Sequence, residues 1–283
     1  MDSSWVLDAA GAALAMAILA SASVCDWRSR QVPDSHWAAM GAMGAALMVA
    51  RAALGGGLRW EHACLAAASL MIVADVLWDR ESTPLPFYPA MILMFAAPLI
   101  SGRGDGSVWA LASVPACYLI FAGMYFTGLI KGGADAKCLI ALAIAFPEYP
   151  AFSAMGGPPG MEGVIVPAIS VLFAALLIIA PLGLWYAAVN VRRGHAGRRM
   201  FSGYRMEIGE AERSMVWPAE DAEGGRVFAT PPSERGGGAY GRLREAGAET
   251  VFVAPMIPFI IPLAAAFALV SLLGSPLWII SLC

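Results

Sequence analysis

Two aspartates, Asp26 and Asp135, have the residue type and the surroundings for acid–base chemistry. Each lies at the end of an apolar segment, where an ionisable side chain is costly and is therefore a candidate for function. Two carboxylates that come within a few ångström of each other cannot both ionise, so the pair holds a single proton. This state suits peptide hydrolysis: the ionised acid takes a proton from the attacking water, and the protonated acid hydrogen-bonds the scissile carbonyl.

The sequence next to each aspartate allows a catalytic and a structural interpretation. Asp26 starts a polar run that ends at Asp34, where the next apolar segment begins. Asp135 follows the pair Gly132 and Gly133, which leaves room for a backbone or a substrate to approach the acid. In the structural interpretation, each acid is instead neutralised by a basic neighbour. The basic neighbours are Arg28 and Arg30 for Asp26, and Lys131 and Lys137 for Asp135.

The segments that carry these acids are predominantly apolar. Of 283 residues, 59% are hydrophobic and 14% are charged, whereas soluble domains carry about 25% charged residues. This composition excludes a water-soluble globular protein, and a net charge of −3 gives no reason to expect nucleic acid as a partner. Five cysteines are scattered singly without adjoining histidines, so we expect neither a metal site nor a disulfide framework, and no cofactor.

Eight apolar segments are long enough, or nearly long enough, to cross a membrane as helices. They are residues 5–24, 36–54, 61–78, 87–101, 107–130, 135–147, 162–189 and 252–280. Segments 87–101 and 135–147 are short, so a count of six full crossings stays open. We expect an all-α polytopic integral membrane protein with six to eight transmembrane helices, eight being preferred, and with its N-terminus outside.

Basic residues predict the orientation, because the cytoplasmic flanks of membrane proteins collect lysine and arginine. With eight crossings and an outer N-terminus, fifteen lysines and arginines lie inside and three lie outside. Asp26 and Asp135 then share the inner face. We therefore expect a multi-pass protein of the plasma membrane whose candidate site faces the cytoplasm.

The charge distribution divides the chain into three parts. Residues 191–250 hold 19 of the 39 charges and 11 glycines, which predicts a loosely folded cytoplasmic insert or, alternatively, a small docked subdomain. Residues 1–190 form the helical membrane core that carries both aspartates. Residues 251–283 supply a final transmembrane helix with a proline-rich start.

Three further aspartates lie in or near the apolar segments. Asp8 is expected to be a solvated carboxylate at the outer end of the first helix. Asp75 and Asp79 lie one helical turn apart at the inner end of the third helix, next to Arg80. Asp75 is deep enough to be a reserve candidate for the catalytic pair.

Around the two main aspartates the sequence resembles the prepilin and preflagellin peptidases, which are intramembrane aspartyl proteases that remove class III signal peptides. The resemblance is closest to the archaeal preflagellin branch. A family pattern of the type D-x-R-x-R-x-(I/V)-P-(D/N) is matched by Asp26, Arg28, Arg30, Val32, Pro33 and Asp34, and one of the type G-G-A-D-x-K by Gly132, Gly133, Ala134, Asp135 and Lys137. The resemblance implies that Asp26 and Asp135 are the catalytic pair and that the other matched residues support the motifs or bind substrate.

A third match is the proline-rich stretch 255–262, which resembles a segment of the archaeal members. Pro255 and Pro258 keep the chain irregular and leave backbone groups free, so the stretch could line a substrate groove. Equally, it could be a helix entry without contact to substrate. The paired cysteine motifs of many bacterial members are absent, so we expect peptidase activity without methyltransferase activity.

The resemblance implies a substrate of one class: a preflagellin or prepilin precursor with a short basic leader in the cytoplasm and an apolar helix in the membrane. Asp34, Asp79 or Glu81 could attract the leader, while Arg28 and Arg30 more plausibly face lipid headgroups. Two alternatives stay open. One is a presenilin-like intramembrane protease of broader specificity, and the other is a transporter that uses membrane carboxylates to couple protons or cations.

Overall fold

The computed structural model describes residues 3–78, 86–102, 105–158, 165–194, 197, 199–232 and 238–278. The chain forms two compact units, one of Met1–Leu176 together with Pro258–Cys283, and one of Leu177–Ile257. The first unit is helical, and the second contains the strands of the described residues.

The helical unit is built from apolar helices. Its helices are α1 (Ser3–Ser29), α2 (Ser35–Leu54), α3 (Trp60–Leu77), α4 (Phe87–Ser101), α5 (Gly106–Ala110), α6 (Ser113–Phe126), α7 (Gly133–Ala145), the first part of α8 (Pro167–Arg192), and α11 (Ile260–Leu273). By length and composition, five spans of the described chain could cross a membrane: α1, α2, α3, the continuous stretch Gly106–Phe126, and α8. Helices α4 and α11 are apolar but shorter. The protein is thus rich in α-helix and has several helices that could span a membrane.

Helix α7 lies inside the helical unit. It packs against α2, α3, α6 and α11, and every residue from Cys138 to Phe146 is buried. A helix that is apolar on all sides suits such a position, because no face of it meets solvent. Only 13 residues long, α7 carries Asp135 in its first turn, so the surrounding helices determine where this acid lies.

Helices α2 and α7 run in parallel and approach each other closely. An added Cβ atom at Gly44 of α2 would lie only 2.7 Å from the Cα atom of Ala145. The last turn of α2 reaches the end of α7, because Arg51 donates a hydrogen bond to the Ala145 carbonyl over 3.4 Å. The residue before α2, Asp34, reaches the first turns of α7 through Lys137.

The helices meet at two ends of this unit. At the aspartate end, defined by Asp26, Asp34, Asp135 and Ile260, α1 finishes and α2, α7 and α11 begin. At the opposite end α1 begins and α2 and α7 finish, as the contact between Asp8 and Arg51 shows. The aspartate end is the part of the fold that positions the candidate site.

The expectation for Asp8 is wrong. Its side chain is buried, with the residue 7% exposed, and it accepts hydrogen bonds from the Arg51 guanidinium at 3.0 Å and from the Ala151 amide at 2.8 Å. A buried carboxylate requires such partners because it has lost its hydration. Asp8 therefore joins the start of α1 to the end of α2 at the opposite end.

The second unit is a small mixed structure. Strands β1 (Tyr204–Glu207), β5 (Thr250–Pro255) and β2 (Val216–Pro218) form an antiparallel sheet in the order β1-β5-β2, and β3 (Glu220–Glu223) pairs with β4 (Arg226–Ala229) in a hairpin. Two short helices, α9 (Ile208–Ala211) and α10 (Ala239–Glu245), complete it. Its core contains Tyr240, Leu243, Val251 and Val253.

The all-α expectation and the loosely folded insert do not hold for this unit. Along β5, Val251 and Val253 are buried while Phe252 is half-exposed, which is the alternation of a strand with one covered face. Many of the charges are paired, and hydrogen bonds from Arg242 hold the pKa of Asp221 below its usual range. The strand also corrects the expected helix 252–280, because α11 begins only at Ile260.

We predict that Gly44→Ala strongly destabilises the helical unit. The new methyl group would meet backbone atoms of α7, which cannot move aside as a flexible side chain does. We expect the free energy of unfolding to fall by about 1–3 kcal/mol or more. Thermal unfolding in detergent measures this loss. The control is Gly123→Ala in α6, where an added Cβ meets nothing within 4 Å; this change should be neutral or stabilising by up to about 1 kcal/mol. Equal unfolding temperatures for the two variants would contradict the close packing of α2 on α7.

Candidate active site

Asp26 lies in the last turn of α1 and is buried, with 8% of its surface exposed. Its Oδ2 atom accepts a hydrogen bond from the backbone amide of Ile260, the first residue of α11, over 3.1 Å. The first amides of a helix have no partner within the helix, and the positive end of the helix dipole favours an anion there. The start of α11 thus offsets part of the cost of burying this carboxylate.

The proline-rich stretch explains why an amide is free at this point. Pro258 stands in the irregular segment that follows β5, and Pro262 stands in the first turn of α11, where the missing N–H costs little. The helix therefore begins at Ile260 next to Asp26. The two prolines that the sequence singled out have different places: Pro255 ends β5 opposite Val216 in the second unit, and Pro258 belongs to the helical unit.

Asp135 lies in the first turn of α7 and is half-buried. Its carboxylate is near enough to Asp26 for the two charges to act on each other. The two aspartates that the sequence predicted as a pair therefore share the aspartate end, although most of the bundle lies between them in sequence.

Gly132 provides the space that the Asp135 carboxylate occupies. An added Cβ atom at Gly132 would lie 2.8 Å from the Asp135 Cγ atom. The φ of Gly132 is −83°, which any residue adopts, so the site needs the small size of this glycine rather than its conformational freedom. Gly133 differs, because an added Cβ there would only touch the ring of Tyr125 at 3.7 Å.

The two sequence motifs are joined by an ion pair. Lys137 donates hydrogen bonds from Nζ to both carboxylate oxygens of Asp34, at 2.7 and 2.9 Å. Lys137 is therefore engaged with Asp34 rather than with Asp135, contrary to the structural interpretation of the sequence. Ala134, between the glycines and Asp135, packs partly buried against the main core.

Arg30 lies in the turn that follows α1 and is close to Asp26 without neutralising it directly. Its guanidinium donates to the Asp26 backbone carbonyl over 3.2 Å and lies 5.8 Å from the centre of the Trp27 ring. The Arg30 backbone has a φ of 56°, a left-handed conformation that no other non-glycine residue in the described ranges adopts. Arg28 and Pro33 are exposed on either side of this turn.

The remaining acids of the sequence analysis have other surroundings. Asp75 accepts hydrogen bonds from the hydroxyl groups of Tyr118 at 2.7 Å and Tyr88 at 3.1 Å. Asp79 and Glu81, which were considered as attractants for a basic leader, lie outside the described residues.

Two partners of the site were missed by reading the sequence. The Ile260 amide could have been suspected, since Pro258 and Pro262 bracket a helix start. The contact between Asp34 and Lys137 has no local signal, because it depends on the parallel packing of α2 and α7.

A cavity of about 650 Å³ lies at the opposite end, away from Asp26 and Asp135. Asp8, Arg51, Tyr149 and Val166 contribute to its wall. In the part of the chain that the structure describes, no group of three or more His, Cys, Asp or Glu side chains is arranged to hold a metal ion.

No family model, curated protein or solved structure matches this chain. The functional assignment consequently rests on the residues and on their geometry.

We predict that Gly132→Ala turns the Asp135 carboxylate away from its present position, because the new methyl group would occupy the same space. The displaced side chain should cost about 0.5–1.5 kcal/mol if it is forced off a rotamer minimum. Gly133→Ala is the matched control and should leave the carboxylate in place. Structures of both variants test this, and an unmoved Asp135 in Gly132→Ala would contradict the role assigned to Gly132.

Proposed function

We propose that this protein is an intramembrane aspartyl endopeptidase that removes the short basic leader of preflagellin- or prepilin-type precursors at the cytoplasmic face of the plasma membrane. The observation that carries the proposal is the proximity of Asp26 and Asp135 at one end of the helical unit. Each acid stands in a motif of the peptidase type, and the motifs are in contact through Asp34 and Lys137.

The surroundings of the two acids assign them different roles. Asp26 accepts an amide N–H at the positive end of α11, and such a bond stabilises the ionised form of a carboxylate. Asp26 is thus the general base that takes a proton from the attacking water. Asp135 holds the shared proton and gives it to the scissile carbonyl oxygen as the water attacks. Asp26 then passes the proton taken from that water to the leaving amine as the C–N bond breaks, and Asp135 recovers its proton when the carbonyl re-forms.

The course of the helices supports eight crossings. Helices α1 and α2 connect the two ends in opposite directions, and α7 and α11 both start at the aspartate end, as α2 does. At the opposite end, Ser101 in the last turn of α4 donates to Glu61 in the first turn of α3. An odd number of crossings must therefore separate α2 from α7, and α3, α4 and the α5–α6 stretch supply three.

The positive-inside rule then assigns the aspartate end to the cytoplasm, with the N-terminus outside. Trp27 at this end is 64% exposed and is followed by Arg28 and Arg30, an aromatic and basic combination that suits the boundary between lipid and water. A precursor with a cytoplasmic basic leader and a membrane helix presents its cleavage site at this same boundary. The peptide must leave the helical state to be cut, so part of the bundle has to move aside.

Replacing either acid by its amide should abolish cleavage. We expect Asp26→Asn and Asp135→Asn each to lower the rate of leader removal by at least about 100-fold, since general acid–base catalysis contributes about 10²–10⁴. Asp26→Asn keeps an oxygen for the Ile260 amide, so the fold should persist. Asp75→Asn is the matched control, a half-buried membrane carboxylate that is bound by tyrosines, and should stay active.

The measurement is conversion of a purified preflagellin by the protein in proteoliposomes. Full processing by either amide variant would contradict the proposal, and an inactive Asp75→Asn beside an active Asp26→Asn would show that the wrong acids were paired. Cleavage of the preflagellin is also compared with cleavage of an ordinary secretory signal peptide. Equal cleavage of the two substrates would indicate a protease of broader specificity. Proton-coupled uptake that depends on Asp135, without any cleavage, would instead identify a transporter.

A further inference from the structure

Asp34 stands at the start of α2 without capping it. It is the N-cap residue of α2, and aspartate is among the residues that cap a helix best, because its carboxylate bonds the free amides of the first turn. In this protein the Asp34 side chain makes no capping bond. Its two oxygens instead accept hydrogen bonds from Lys137, at 2.7 and 2.9 Å. The backbone of Asp34 is already helical, with φ −60° and ψ −20°, so its carboxylate is left to contact a distant part of the chain.

The ion pair links the two aspartates through short, stiff pieces of backbone. Lys137 lies two residues after Asp135 on α7, and Asp34 is joined to Asp26 by the turn that follows α1. Within that turn, Arg30 bonds back to the Asp26 carbonyl, and Val32 packs against the main core. A displacement of Lys137 from Asp34 would therefore shift one catalytic acid relative to the other.

Stability alone does not explain the pair. The Lys137 side chain is 26% exposed and the Asp34 side chain is 47% exposed, and ion pairs as exposed as this contribute little to folding. The α2–α7 contact is also secured elsewhere, by the close packing at Gly44 and by the bond from Arg51 to Ala145. Catalysis is far more sensitive, because a displacement of about 1 Å can cost about 100-fold in rate.

We propose that Asp34 and Lys137 are positioning residues that set the separation between the carboxylates of Asp26 and Asp135. The inference rests on the proposed function in one respect: it takes these two acids as the catalytic pair. Neither Asp34 nor Lys137 acts on the substrate in this role, and each works through the helix start to which it belongs.

The kinetic test uses three variants of the full-length protein in proteoliposomes: Lys137→Met, Asp34→Asn, and the exchange of Asp34→Lys with Lys137→Asp. Each single change should lower kcat about 10- to 100-fold, with KM within about 3-fold of the wild-type value and an unchanged unfolding temperature. The exchange keeps the combined reach of the two side chains and should recover most of kcat. Arg244→Met, which breaks an exposed ion pair with Glu212 in the second unit, is the control and should keep full kcat.

A distance measurement tests the inference without any cleavage. Spin labels are attached to cysteines introduced at the exposed positions 28 and 131, which flank the two acids, in a chain whose native cysteines are replaced by serine, with and without Lys137→Met. We expect the label-to-label distance distribution to lengthen or broaden when Lys137 is lost and to return in the exchange variant.

The outcomes separate the two proposals. An unchanged distance distribution in Lys137→Met, or a loss of activity through KM alone, overturns the positioning role even if the wild-type protein is a peptidase. A changed distribution in a protein that cleaves no precursor upholds the positioning role and refutes the proposed function. Failure of the exchange variant to recover the distance would also count against the pair, because it would show that the charge contact is not what sets the spacing.

Discussion

The hydrogen bond between the Asp26 carboxylate and the Ile260 amide is the interaction on which the aspartate end depends. A carboxylate buried among apolar helices loses its hydration, and without a compensating donor it would be neutral or would unfold its surroundings. The start of α11 supplies that donor together with the positive end of a helix dipole. This places a carboxylate that accepts an amide hydrogen bond next to a second acid, an arrangement that a solvated helix end would not give.

The rest of the helical unit serves to bring the second acid to this point. Helix α7 is short and buried among other helices. Its parallel alignment with α2 is held by the close packing of Gly44 on the last residues of α7 and by polar contacts at both ends of α7. Gly132 then leaves just enough room for the Asp135 side chain. Glycine allows two close contacts here. Gly44 lets the backbones of α2 and α7 approach each other, and Gly132 leaves space for the Asp135 carboxylate against the residues that precede α7.

Much of this could be predicted from sequence because membrane helices and isolated acids have strong signals. Long apolar segments predict most of the helices. Because carboxylates are sparse at the ends of such segments, Asp26 and Asp135 stand out in the sequence as candidate site residues. The second unit was harder, since its strands are only three to six residues long and lie among glycines and charges that resemble a loose loop. Three ion pairs join its described charges, among them the one between Arg242 and Asp221. The burial of Asp8 and the partner of Lys137 escaped prediction because both depend on contacts between distant helices.

The contact between residues 26 and 260 also has a consequence for biosynthesis. During synthesis Asp26 reaches the membrane before the second unit is made, and the amide that bonds its carboxylate is made only after that unit. Until α11 is in place, the carboxylate must stay hydrated at the membrane edge or carry a proton. The bond from Ile260 to Asp26 is therefore coupled to completion of the bundle, so a partly synthesised chain lacks the assembled aspartate end.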